Sequence, residues 1–107
     1  MSETFDKICV LVERGEVKVS DHGYDEMSDE EILAREVLAG VAEGIVVEEY
    51  PSYAKGPCVL VLQRDLNLRP IHVVWGIPKG LSSPAVVVTA YRPRPDLWSE
   101  DFTRRKT

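Results

Sequence analysis

Phe5, Ile8, Cys9 and Val12 recur at helical spacing near the start of the chain, and Gly15 follows where a left-handed cap is wanted. This pattern predicts a helix over residues 3–14. A second apolar stripe, Leu33, Ala34, Val37, Leu38 and Val41, lies beyond Ser28-Asp29-Glu30-Glu31, whose serine and glutamate have capping-box spacing. The second helix is therefore expected to start after Ser28, run to about residue 42 and stop at Gly44. Between them, residues 17–20 form a short strand candidate leading into a loop that carries His22.

After Gly44 the period changes from helix to sheet. Residues 45–50, 58–64, 70–77 and 85–92 are rich in β-branched side chains and are separated by Pro, Gly, Asn and Ser. Their connections are too short for parallel crossovers, which need about a dozen residues, so neighbouring strands should run antiparallel. Val59-Leu60-Val61-Leu62 is apolar on both faces and reads as central. In the next strand Ile71, Val73, Trp75 and Ile77 share one face, while His72, Val74 and Gly76 occupy the other, which is expected to be the open one. The expected fold is α+β, with two N-terminal helices packed on a mainly antiparallel sheet of four to five strands. After Arg92 the prolines at 93 and 95 end the sheet, and a charged tail over residues 96–107 with Trp98 and Phe102 is expected to pack only in part.

A chain of 107 residues suits one domain, 1–107, able to bury a core without staples. No apolar stretch approaches the roughly 18 residues of a membrane span, and the acidic start lacks the order of a secretion signal, so a cytoplasmic address and no membrane partner are expected. Cys9 and Cys58 are expected to be reduced thiols, without zinc-knuckle spacing. The net charge of -5 conceals a division. Residues 1–53 carry four basic and fourteen acidic side chains, whereas residues 54–107 carry nine basic and four acidic. The basic half can offer a local footprint to a polyanion such as RNA, or to an acidic partner, although the acidic average opposes avid non-specific binding.

The only two histidines are His22 and His72. Imidazole changes charge near neutrality, so a pair held close together could exchange protons with a substrate. In metal-independent RNA cleavage one base takes the 2'-hydroxyl proton, an acid protonates the departing 5'-oxygen, and a cation stabilises the phosphorane. Each acid or base group typically contributes ~10²- to 10⁴-fold. If Ile77 faces Ala85, antiparallel pairing sets His72 beside Ala90 and on the face of Arg92; a one-residue slip sets it with Thr89 and Tyr91. Arg92 and Arg94, flanked by prolines, are candidate phosphate or carboxylate contacts. Asp21, His22, Asp25 and Glu26 match no closed zinc site, so neither metal nor cofactor is expected.

The helix signal at Ser28-Asp29-Glu30-Glu31-Ile32, the run Ile45-Val46-Val47-Glu48-Glu49-Tyr50-Pro51, Arg69-Pro70-Ile71-His72-Val73-Val74 and Val88-Thr89-Ala90-Tyr91-Arg92-Pro93 follow the first histidine segment in order. Over about residues 17–95 this pattern resembles the domain-of-unknown-function family 4258 of small prokaryotic proteins. That family is similar to the RelE-like branch of the Barnase, EndoU, colicin and RelE superfamily. The resemblance implies a RelE-like fold and a toxin of a toxin-antitoxin pair, an endoribonuclease of the mRNA interferase kind. On it, His22, His72 and Tyr91 would be catalytic and Arg69, Arg92 and Arg94 would hold RNA. It also implies an antitoxin-like small zinc-finger protein as partner. One position departs from the pattern: where the family carries an arginine four residues after the first histidine, this chain has Glu26, which would oppose phosphate. A non-catalytic protein-binding module of the same fold is the rival expectation.

Overall fold

The computed structural model describes residues 2–106; Met1 and Thr107 lie outside them. Three helices, α1 (Glu3–Glu13), α2 (Asp21–Asp29) and α3 (Ala34–Gly40), accompany five strands, β1 (Val17–Val19), β2 (Ile45–Tyr50), β3 (Cys58–Arg64), β4 (Pro70–Gly76) and β5 (Ala85–Tyr91). The sheet order is β1-β5-β4-β3-β2. β2 to β5 form the expected antiparallel meander, but β1 joins the far edge parallel to β5, with Val17 opposite Ala85, which makes the sheet mixed. Among the described residues no helix is long and apolar enough to cross a membrane.

Helix α1 forms as its stripe predicts. The Ser2 hydroxyl accepts from the Phe5 amide, Ile8 and Leu11 turn inward, and Gly15 takes a φ of 76°. That left-handed residue lets the Glu16 amide reach the Leu11 carbonyl at 2.9 Å and closes the helix. Ile8 and Leu11 then join Val37 of α3 and Val59, Val61, Ile71, Val73, Trp75 and Val87 in one buried core cluster. Side chains of this size contribute roughly 1.5–3 kcal/mol each when buried. The polar groups within the core are paired: Trp75 Nε1 donates to Gln63 Oε1 and Gln63 Nε2 donates to the Val37 carbonyl, both at 2.8 Å.

The expected second helix begins only at Ala34, as α3, and a further helix, α2, replaces the loop expected before it. Ser28 and Asp29 end α2 instead of starting a helix, and α3 begins at Ala34 without a side-chain cap. Glu31 adopts a φ of 56°, its amide bonds the Ser28 carbonyl, and the Ile32 amide bonds the Met27 carbonyl. This is the paired pattern of a Schellman ending, completed by Met27 and Ile32, both buried. His22 consequently lies in the first turn of a helix and not in a loop.

The cap of α2 is Ser20. Its Oγ accepts from the Gly23 amide at 2.9 Å and donates to the Val88 carbonyl at 2.8 Å. Val88 offers that carbonyl because β5 bulges there. Trp75 pairs with Val87 and Val74 with Thr89, so Val88 is an extra residue. A side chain at position 23 would start with its Cβ 2.8 Å from the Val87 carbonyl, so only glycine lets α2 lie this close to the bulge. Most residues of the tail over residues 96–107 are exposed, and Trp98 is its one buried residue among those described. Trp98 is only 3% exposed and bridges Arg105, which folds the tail back across the sheet.

Candidate functional site

Two separate places hold the two histidines. His22 lines a groove of about 370 Å³ with Ser20, Tyr53, Lys55, Cys58 and Val88. Apolar surface from Ile77, Pro78 and Val86 adds to the floor, and Gly56 lets the β2–β3 connection approach the β4–β5 connection closely. At its φ of 126°, a Cβ on residue 56 would stand 2.1 Å from the Ile77 carbonyl. His22 and Lys55 are the only titratable nitrogen bases in the lining, which includes no aspartate or glutamate. Lys18, opposite Val86 on β1, adds a further cation on the same face. Burial pushes the Cys58 thiol up, so this sulfur sits in the groove as a protonated, weakly polar group.

His72 stands four residues from Gly76 along β4, about 13 Å at the usual rise of a strand. Its side chain is fully buried. The Phe102 carbonyl lies 2.8 Å from Nε2, and a carbonyl only accepts, so Nε2 carries the proton. Nδ1 is then the acceptor for the Tyr91 hydroxyl at 3.2 Å. Trp98 meets the ring edge-on, with centroids 4.4 Å apart. Burial holds the imidazole below its ordinary value; the Phe102 hydrogen bond acts against this and the Arg105 charge acts with it.

Arg105 fastens the tail above this histidine. It pairs with both oxygens of Glu48 at 3.0 Å and stacks 4.7 Å from the Trp98 ring. The Tyr50 hydroxyl donates to the same carboxylate. The Arg105 and Tyr50 hydrogen bonds hold Glu48 below its usual range, and burial raises Tyr91. Tyr91, Trp98 and the Phe102 carbonyl thus enclose His72, and neither of its nitrogens is left for a ligand.

Both registers of the last hairpin occur. Near the turn Gly76 faces Val86 and Trp75 faces Val87, as the pairing of Ile77 with Ala85 requires; past the bulge His72 faces Tyr91. The structure therefore brings His72 and Tyr91 together and leaves His22 apart. Arg92 does not face solvent freely: its Nη1 lies 2.9 Å from buried Asp65, which also accepts from the Asn67 and Arg69 amides. Burial raises the Asp65 carboxyl, but these bonds outweigh it and hold the group below its usual value. Arg94 pairs with Asp96 on the surface, and Arg69 is exposed. Sequence reading passed over Lys55, Tyr53 and Ser20. The turn-like Tyr53-Ala54-Lys55-Gly56 was the available signal, but nothing local says that it folds toward α2.

Comparison with known proteins adds a single finding. The family described as "Domain of unknown function (DUF4258)" matches residues 19–92, a span that holds both histidines, the groove and the His72–Tyr91 pair. No curated protein and no solved structure matches the chain.

Proposed function

This chain belongs to the DUF4258 family, and from that premise we propose that it is a toxin-type, RelE-like domain that binds RNA in the groove beside His22. The observation that carries the reading is the groove's charge. In a protein of net charge -5, its lining holds His22 and Lys55 and no carboxylate. Phosphate is favoured there by Coulomb attraction, and the apolar floor with Tyr53, 49% exposed, suits an unstacked base. His22 is the ring available to move a proton in this site. Cleavage by a histidine pair is not supported, because His72 spends both nitrogens on Tyr91 and Phe102.

Labelled single-stranded RNA, titrated with the full chain in excess EDTA, tests this. Binding should weaken with salt, and Lys55→Ala should reduce both the affinity and the slope of its salt dependence, the latter by about one. Cutting, where it occurs, should vanish in His22→Ala and persist in His72→Gln. RNA affinity indifferent to Lys55→Ala would overturn the proposal.

A second reading, a non-catalytic protein-binding module, is favoured by the enclosure of His72 and by Glu26 in place of the family's arginine. On that reading the antitoxin-like small zinc-finger partner engages the domain and RNA stays intact. Co-purification with such a partner, with RNA neither bound nor cut, would select it.

A further inference from the structure

We infer that the elbow between α2 and α3 is a docking surface for a cationic, amphipathic segment of a partner protein. A cleft of about 400 Å³ opens there, lined by Tyr24, Met27, Ile32 and Leu33. Tyr24 is 66% exposed and Leu33 47% exposed, so an aromatic and an aliphatic side chain flank an opening with nothing of this chain between them. The opening is built by the left-handed turn at Glu31. That residue has a Cβ where glycine is preferred, and the turn directs α3 away from the axis of α2 while Met27 and Ile32 hold the inside of the bend.

The charge around the cleft states the occupant's chemistry. Glu31 lies in the lining, Asp21 and Asp25 stand within about 100° of Tyr24 around α2, and no lysine or arginine lines the cleft. Among the described residues none of these three carboxylates belongs to an ion pair. Unscreened by the chain itself, they favour a partner bearing lysine or arginine around a large apolar side chain that seats between Tyr24 and Leu33. Two elbows facing each other would bring like charges together, which argues against a symmetric pair of copies. Glu26, about 200° around α2 from Tyr24, faces away from this cleft. The inference does not rest on RNA binding. Tyr24 and His22 are two residues apart on one helix, about 200° around its axis, so the elbow and the groove face different ways.

The test uses the full, isotope-labelled chain and three synthetic helical peptides, alternating lysine with leucine, glutamate with leucine, and lysine with serine at amphipathic spacing. The lysine–leucine peptide should saturate, with NMR shifts centred on Tyr24, Met27, Ile32 and Leu33. Its affinity should fall about tenfold, near 1.4 kcal/mol, in Tyr24→Ala and in an Asp25→Asn, Glu31→Gln variant, while circular dichroism stays unchanged. RNA binding by these variants, measured in parallel, should also stay unchanged, which separates this surface from the groove. Equal binding of the lysine–serine peptide, shifts centred elsewhere, such as on β2, or indifference to Tyr24→Ala would overturn it.

Discussion

The Nε2–H of His72 points at a backbone carbonyl that can accept a proton's attraction but never take the proton, and burial keeps the ring neutral. An unfolded chain would protonate the same imidazole near pH 6.5. Between that value and the lower folded one, the unfolded state binds more protons, so stability is complete above pH 6.5 and declines as pH falls through this window. The urea midpoint should therefore hold steady from pH 8 to about 7 and drop towards pH 5, and His72→Gln, which cannot titrate, should flatten that part of the curve. A midpoint insensitive to pH in the wild type would contradict the burial argument. The sequence left open whether His72 meets Tyr91 or shares a face with Arg92, and the reason is local. Val86-Val87-Val88 carries no mark of which valine bulges. The choice is made by Ser20, whose hydroxyl claims the Val88 carbonyl from 68 residues away.

At the scale of elements, the boundary at Ser28–Glu31 shows what a motif alone can and cannot decide. Ser-x-x-Glu has the spacing of a helix start, yet the same four residues serve here as a helix end, because Met27 and Ile32 gain burial by closing the turn. The pair was visible in the sequence but fitted either reading, whereas α1 was legible because its stripe and Gly15 agree. A direct consequence is that Glu31 carries backbone strain that glycine would not. Glu31→Gly should raise stability by ~0.5–1 kcal/mol, the left-handed cost exceeding the entropy lost with the unfolded glycine. Thermal unfolding of the variant checks this; a lower midpoint would mean that the Glu31 side chain contributes more than its conformation costs. The β2–β5 meander was likewise legible from β-branched runs and short connections, while the parallel pairing of β1 depends on contacts no window of sequence contains.

Across the whole molecule, a largely exposed tail is anchored by one buried side chain, Trp98. Trp98→Ala should cost about 3–5 kcal/mol, since it empties the buried space beside His72. Arg105→Ala should cost about 1 kcal/mol or less, because its ion pair with Glu48 is largely solvent-exposed. Urea midpoints of the two variants, compared side by side, test that ordering, and a larger loss for Arg105→Ala would reverse the account. Trp98 and Phe102 were visible as apolar residues in a charged segment, but their contact with a strand histidine 26 to 30 residues earlier was not. The pairing of β1 with β5 has a consequence for biosynthesis. Val17–Val19 leave the ribosome long before Ala85–Val87 exist to receive them. At about 5–20 residues per second that wait lasts roughly 3 to 14 seconds. The groove takes Val86 and Val88 from the strand made last, so the nascent chain has no finished groove while most of it is already outside the ribosome.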